Sequence, residues 1–347
     1  MSVPSTVRTD YKKIIKNGFQ IIDVRTPSEY QLGSTPHAVN LPILDDEQRK
    51  EVGVCYKNKG QTAAIALGHR LVKGETKEAR IKAWINANNN NTSICCWRGG
   101  LRSRIAQGWL EETGLNIPRI SGGYKALRHT CIEVLGECPE KDFVVVAGRT
   151  GSGKTEIIKD LTHSIDLEGM ANHRGSAFGS HKTPQPSAAS FENSLATAFL
   201  QIDGPGPIAL EDESRTIGHL AIPLILFERM RISPIVVLEI GIAERIENIY
   251  QEYIINDNNP NNLLSGLDRI KKRLGGKLHS ELKDCMREAF DNNNADTHRR
   301  WIHNLLSNYY DPMYDYQIRQ KNPRIVMQGD KKDVLSFVST YRVDNEI

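Results

Sequence analysis

The stretch FVVVAGRTGSGKTEIIKDLTHSI, residues 143–165, decides how this chain is read. It opens on four apolar residues, three of them β-branched, the mark of a strand buried on both faces. A glycine-rich turn follows, and then a pattern that predicts a helix over 154–165. The turn fits GxxxxGK[ST] at every fixed position, with Gly148, Gly153, Lys154 and Thr155. Gly148, Gly151 and Gly153 let the backbone amides, that of Ser152 among them, turn inward as an anion nest. The N-terminus of the following helix adds its partial positive charge. Lys154 then reaches the terminal phosphates, and Thr155 ligates Mg²⁺ if a metal is used. No base-reading motif such as NKxD accompanies the loop. The loop alone therefore establishes phosphate binding and not nucleotide hydrolysis.

On either side of this segment, short apolar runs alternate with helical patterns. FQIIDV (19–24), TSICC (92–96), PIALED (207–212), PIVVLEI (234–240) and RIVMQG (324–329) read as strands, and LRSRIAQGWLEETG (101–114) as a helix. The alternation predicts α/β architecture with parallel sheets. The asparagine run Asn88 to Asn91 reads as a loop, and the chain beyond residue 241 as mainly helical. A boundary is expected in GECPEKD (136–142), which gives one domain over 1–138 and a second over 139–347.

The bulk numbers agree with two soluble domains: 347 residues, 39% hydrophobic and 25% charged. The six scattered cysteines form no CxxC pair, which fits a cytoplasmic chain with reduced thiols. The N-terminus MSVPSTVRTDYKK has no apolar stretch, and LAIPLILF from Leu220 is far too short for a membrane span. No membrane partner is expected. Charge is uneven, with 20 Lys+Arg against 14 Asp+Glu through Glu140 and 25 against 28 beyond it. The N-terminal part is the better partner for a polyanion.

A second sharp feature is Cys95-Cys96-Trp97-Arg98-Gly99-Gly100-Leu101-Arg102-Ser103. A strand ends in cysteine, a glycine loop follows, and a helix begins near Leu101. Such a loop aims backbone N–H groups at one sulfur, and Arg98, Arg102 and Arg104 favour its thiolate. Cys96 adjoins the loop, so alternation turns Cys95 to the opposite face as a small buried hydrophobe. Two chemistries share this design. One is sulfur or selenium transfer; the other is the Cys-x5-Arg phosphatase, whose spacing Cys96 and Arg102 also satisfy. In the second half, Glu211 and Asp212 end an apolar strand as a candidate acidic pair beside the phosphate loop.

The residues around Asp23-Val24-Arg25, with Glu29 and with His37-Ala-Val-Asn40-Leu-Pro42, resemble the opening of rhodanese domains, although the usual Pro-Gly step is missing. A rhodanese-like parallel-sheet domain fused to a P-loop NTPase-like α/β domain with a helical C-terminal part resembles the tRNA 2-selenouridine synthases. SGGYKALR (121–128), LEGMANHRGSAFG (167–179), EDESRTIGHLAIP (211–223) and YYDPMYDYQ (309–317) carry the same resemblance. It implies a transferase that replaces the sulfur of a 5-substituted 2-thiouridine at the tRNA wobble position with selenium. Selenophosphate is the implied donor, and a selenophosphate-producing enzyme is a possible partner. Geranyl diphosphate is the implied source of an S-geranylated intermediate. The resemblance makes Cys96 the catalytic residue and brings Arg174, Ser176, Glu213 and Arg215 toward the anion site. The alternative is a phosphatase or arsenate-reductase-like enzyme with a regulatory nucleotide-binding domain. The basic run Arg269, Lys271, Lys272, Arg273 and Lys277 is a candidate tRNA-backbone contact or a solvated helix face. Trp301, Tyr309 and Tyr310 are either base-stacking or core residues.

Overall fold

The structure is a computed structural model and describes residues 7–342. Residues 1–6, part of the stretch read for a leader, lie outside it. The chain begins with β1 (Val7–Arg8), α1 (Tyr11–Lys16), β2 (Ile21–Asp23), α2 (Pro27–Gln31), β3 (Ala38–Asn40), α3 (Asp46–Leu71) and α4 (Glu75–Asn86). Then come β4 (Ser93–Cys95), α5 (Leu101–Glu111), β5 (Arg119–Ile120), α6 (Gly123–Gly136), β6 (Phe143–Gly148), α7 (Lys154–Asp160), β7 (Ser164–Ile165) and α8 (Leu167–Ala171). They are followed by α9 (Ala188–Gln201), β8 (Ile208–Glu211), β9 (Thr216–Ile217), β10 (Leu220–Ala221), α10 (Leu224–Ile232), β11 (Ile235–Leu238) and α11 (Ile242–Tyr250). The C-terminal part holds α12 (Pro260–Arg269), α13 (Lys271–Leu274), α14 (Gly276–Asp291), α15 (Ala295–Leu305), α16 (Asp311–Lys321), β12 (Ile325–Gly329) and α17 (Lys331–Thr340).

Two compact units result. One comprises the residues up to Gly136 together with Ser187–Gln201; the other comprises Glu137–Pro186 and the chain from Ile202 on. Helix α9 thus packs in the first unit, although it follows the first strand of the second. Its buried Phe191, Leu195 and Phe199 explain why, and buried Asn193 adds specificity. The Asn193 amide donates to the Ser34 carbonyl at 2.8 Å and to the Tyr124 hydroxyl at 3.3 Å.

The first unit is a five-stranded parallel sheet ordered β1-β5-β4-β2-β3. Its strands have only two or three residues, so β1, β3 and β5 leave no period in the sequence. β4 lies between β5 and β2 and is wholly buried, which puts Cys96 at the end of the central strand, against the apolar core with Val24 and Ala106. The second unit is a parallel sheet ordered β12-β11-β6-β8-β7. β6 is buried at all six positions and takes the central place that its apolar sequence predicts. The helix expected over 154–165 ends at Asp160. Leu161 turns to extended backbone, the Ser164 hydroxyl donates to the Leu161 carbonyl at 2.8 Å, and Ser164–Ile165 become the edge strand β7. Beyond residue 241 the chain is helical apart from β12, around a core of Leu267, Met286, Trp301 and Ile302. No helix among the described residues is long and apolar enough to cross a membrane.

Helix α3 is bent back on itself. Gly60 has φ +77° and ψ −176°, which breaks the helical path, and a Cβ on Gly68 would lie 3.9 Å from Val52. Sixteen residues of unbroken helix would span about 24 Å, so that proximity makes residues 46–71 a helical hairpin with Gly60 at its tip.

Candidate functional site

In the first unit Cys96 is 3% exposed at the end of β4. Its thiol donates to Ser103 Oγ at 3.3 Å, and the Ser103 hydroxyl donates to the Gly100 carbonyl at 3.1 Å. Cys95 faces the other way, 1% exposed, and burial pushes its thiol well above the usual range. Burial likewise raises Cys131 to about 12 and Cys138 to about 11. Trp97 is 38% exposed, Arg98 is exposed, and Gly99 and Gly100 are half-buried.

The loop after Cys96 is fastened by the start of α6. The Tyr124 amide donates to the Cys96 carbonyl and the Lys125 amide to that of Trp97, both at 2.9 Å. Only glycine fits between them. Gly123 has φ +60°, and a Cβ there would sit 2.1 Å from the Cys96 carbonyl oxygen; on Gly99 (φ +63°) it would sit 2.6 Å from that of Ile120. Gly123→Ala is therefore expected to displace the cysteine loop. It should lower stability by about 1–3 kcal/mol, as a strained positive-φ side chain does, and it should lower turnover further. Thermal melting and a turnover assay would check both.

Beneath the loop, Arg25 and Asp23 form a fully buried pair at 2.6 Å. The Arg25 guanidinium also donates to the Gly33 carbonyl at 2.8 Å and lies 3.8 Å from the Tyr124 ring centroid. Arg102 is bound to Glu29 through two contacts, one of them at 3.0 Å. Burial pushes the Glu29 carboxyl up, but the hydrogen bond and charge of Arg102 outweigh it and hold the group below its usual range. The cation that does reach the cysteine loop is Arg119 of β5. Its side chain donates to the Gly99 carbonyl at 3.2 Å and to Gln107 at 2.6 Å, and its charge interacts with Cys96. Sequence spacing gave no sign of it, because 22 residues separate Arg119 from Trp97 while β5 lies next to β4.

In the second unit the phosphate loop leaves central β6 with Gly151 at φ +80° and Gly153 at φ +82°. Lys154 Nζ reaches back to the Gly148 carbonyl at 3.2 Å. Helix α11 clamps the outside of the loop. Buried Arg245 donates to the Thr150 carbonyl at 3.0 Å and Asn248 to that of Gly151 at 3.0 Å. Asp311 fixes Arg245 at 2.7 Å. Those contacts hold the Thr150 and Gly151 carbonyls, while the Ser152 amide, expected in the nest, donates instead to the Arg149 carbonyl at 3.0 Å. Ser152 Oγ is buried without a protein partner, a hydroxyl free for a bound anion.

Thr155 Oγ1 lies 2.9 Å from Glu211 and 3.1 Å from Glu168. Buried Glu211 and half-buried Glu168 and Glu213 form a carboxyl cluster beside Lys154. Burial, and then the charge of Glu213, push Glu168 up to about 8; burial, and then Glu168, push Glu211 up to about 7. Burial raises Glu213 as well, against the pull of Lys154. The folded protein thus holds protons that the unfolded chain releases above about pH 4.5. This contribution to stability is full below that pH and is lost as pH rises through about 7 to 8. Ligand-free protein is expected to lose several degrees of melting temperature between pH 5 and 8.5 from this source. Glu168→Gln should flatten that part of the slope, and calorimetry of the two proteins side by side isolates it from histidine titration.

The other expected residues are placed differently. Asp212 is taken by Lys321 at 2.6 Å, so Glu211 alone of the strand-end pair faces the loop. Arg174 pairs with Glu252 at 2.7 Å and Asp257 at 3.0 Å, 4.7 Å over the Tyr253 ring. Ser176 Oγ accepts from the Phe178 amide at 3.2 Å. Arg215 is exposed. Ser176 and Thr150 line an apolar cavity of about 30 Å³ with Ile249, Tyr253, Trp301 and Tyr310. Trp301, Tyr309 and Tyr310 are core residues. Lys271, Lys272, Arg273 and Lys277 are exposed, and Arg269 donates to the Ala177 carbonyl. Among the described residues no group of three His, Cys, Asp or Glu side chains is arranged to hold a metal.

A strand-end cysteine in a glycine loop, joined in one chain to a phosphate loop on a central parallel strand, defines a rhodanese–P-loop fusion. The comparisons agree. Residues 7–130 match the rhodanese-like domain family, and residues 141–345 match the family described as the tRNA 2-selenouridine synthase AAA domain. The chain is 44% identical to the tRNA 2-selenouridine synthase of Marinobacter nauticus, over 92% of this chain and 94% of that one. It is 42% identical to proteins of the same name from Pseudomonas putida, over 95% and 96%, and from a Sulfurovum species, over 96% and 98%. This chain belongs to the tRNA 2-selenouridine synthase family.

Proposed function

We propose that this protein is a cytoplasmic transferase that replaces the sulfur of a 5-substituted 2-thiouridine, at the wobble position of tRNA, with selenium from selenophosphate. The reaction passes through an S-geranylated intermediate made from geranyl diphosphate. The observation that carries this reading is the phosphate nest at 148–155, whose Thr150 end adjoins a tyrosine- and tryptophan-lined apolar cavity. A prenyl diphosphate asks for that combination: amides, Ser152 and Lys154 for the diphosphate, apolar walls for the chain. The free volume is small, so binding has to spread the lining. S-alkylation makes chemical sense here, because it converts the base sulfur into a thiol leaving group. If Mg²⁺ takes part, Thr155 and Glu211 are the hard oxygen donors at hand, and it would neutralise diphosphate charge. Cys96 supplies the nucleophilic sulfur of the other unit. A selenophosphate-producing enzyme would be the natural supplier of the donor.

A Cys-x5-Arg phosphatase would need Arg102 turned to its anion, and the pair with Glu29 occupies that guanidinium. Mass spectrometry of tRNA nucleosides tests the proposal, using cells with and without the protein grown on selenium. Selenouridine and geranylated thiouridine should appear only with the protein. No difference between the two would overturn the reading.

A further inference from the structure

We infer that the tip of the α3 hairpin is an RNA-binding surface, a site where Tyr56 stacks on an unpaired tRNA base while Lys57 and Lys59 hold the adjoining phosphates. The inference rests on the proposed action on tRNA and adds the surface that would recognise it.

Helix α3 buries almost nothing. Of its 26 residues only Ala64 is buried, although Val52 and Leu71 at its base pack on the core of the unit. A helix with so little buried face gains little from its own fold and calls for another role. The exposed side chains gather at the tip. Val54 is 53% exposed and Tyr56 57%, and Lys57, Asn58, Lys59, Gln61 and Thr62 are all exposed. An aromatic ring held in water between cations and amides suits a single-stranded base and its phosphates.

Charge points to the same occupant. From Val52 to Gly74 the chain has no Asp or Glu, while it carries Lys57, Lys59, Arg70 and Lys73. A solvated helix elsewhere in this protein mixes its signs, as α14 does with Lys277, Glu281, Lys283 and Asp284. The acids of α3 stand only in its first turns, where Asp45 forms a capping box with Gln48, and where negative charge suits the helix N-terminus. The hairpin is anchored at one end and unopposed in charge at the other. The break at Gly60 folds the helix back and puts Tyr56, Lys57 and Lys59 next to its tip.

Binding of a cognate tRNA that carries the 5-substituted 2-thiouridine to the full-length protein tests this, across salt concentrations. Lys57→Glu/Lys59→Glu is expected to raise Kd at least tenfold and to reduce the magnitude of the salt slope by about 1.4–1.8, as two lost phosphate contacts require. Tyr56→Ala is expected to raise Kd about tenfold with the salt slope unchanged, the loss of one stacked base. Tyr56→Phe should bind as the wild type does. These positions are exposed, so melting temperatures should stay unchanged. A wild type that binds tRNA, with both Tyr56→Ala and the charge reversal binding equally well, overturns the inference alone. A wild type that does not bind tRNA overturns the function proposed above, and this inference with it.

Discussion

Replacing Cys96 by serine is expected to abolish 2-selenouridine formation, by about 10³-fold or more in rate, while the protein stays folded. The size follows from what the sulfur does. A barrier lowered by about 4 kcal/mol is worth that factor, and a hydroxyl at neutral pH is a far weaker nucleophile than a thiol that can ionise. The fold should tolerate the change. Serine keeps the shape of the side chain, and its hydroxyl can still meet Ser103 where the thiol now does at 3.3 Å. The backbone that holds the position is bound through the Cys96 carbonyl and not through the side chain. In the proposed reaction prenyl transfer belongs to the other unit, so geranylated 2-thiouridine should accumulate in place of the selenium product. Nucleoside mass spectrometry reads both species in one run. Full selenation by the serine variant would remove Cys96 from the chemistry.

The two glycine-containing loops were legible in the sequence because their determinants are contiguous. Gly148 to Thr155 and Cys96 to Ser103 each span eight residues, and their backbone geometry follows from glycine placement. The residues that hold those loops in shape were not legible. Arg119, Gly123, Arg245, Asn248 and Asp311 act across 20 to 160 residues of chain, through sheet neighbours and packed helices. Glu168 lay inside a quoted motif, yet only the fold brings it to Thr155. Asp212 shows the opposite failure. It stands next to Glu211, but successive residues leave a strand on opposite sides, and Lys321 takes it. Arg102 and Arg174 read as free cations because a sequence does not display their acidic partners. β1, β3 and β5 left no signal because two or three residues cannot show an alternation, whereas β6 and β11 announced themselves by unbroken β-branched runs. Residues 187–201 carry an amphipathic helix pattern, but a pattern does not say which core it completes.

Replacing Lys154 by alanine should weaken diphosphate binding about 10- to 100-fold, and prenyl transfer at least as much. A charge-assisted hydrogen bond contributes about 1.5–3 kcal/mol, and Lys154 is already held across the loop by the Gly148 carbonyl, so little ordering is needed when an anion arrives. A second consequence separates this residue from a simple loss of positive charge. Lys154 is the cation that holds Glu168 and Glu213 down against burial. Without it both carboxyls should stay protonated to higher pH, and the pH-dependent loss of stability should move upward from about 7 to 8. Titration calorimetry with inorganic diphosphate measures the first effect, and melting curves from pH 6 to 9.5 measure the second. The variant should still convert tRNA that is supplied already geranylated, because the proposed function assigns that step to Cys96 and not to the diphosphate. Unchanged diphosphate affinity in Lys154→Ala would move the prenyl donor out of this loop. Lost conversion of geranylated tRNA would instead place the loop in the selenation step, with selenophosphate as its anion.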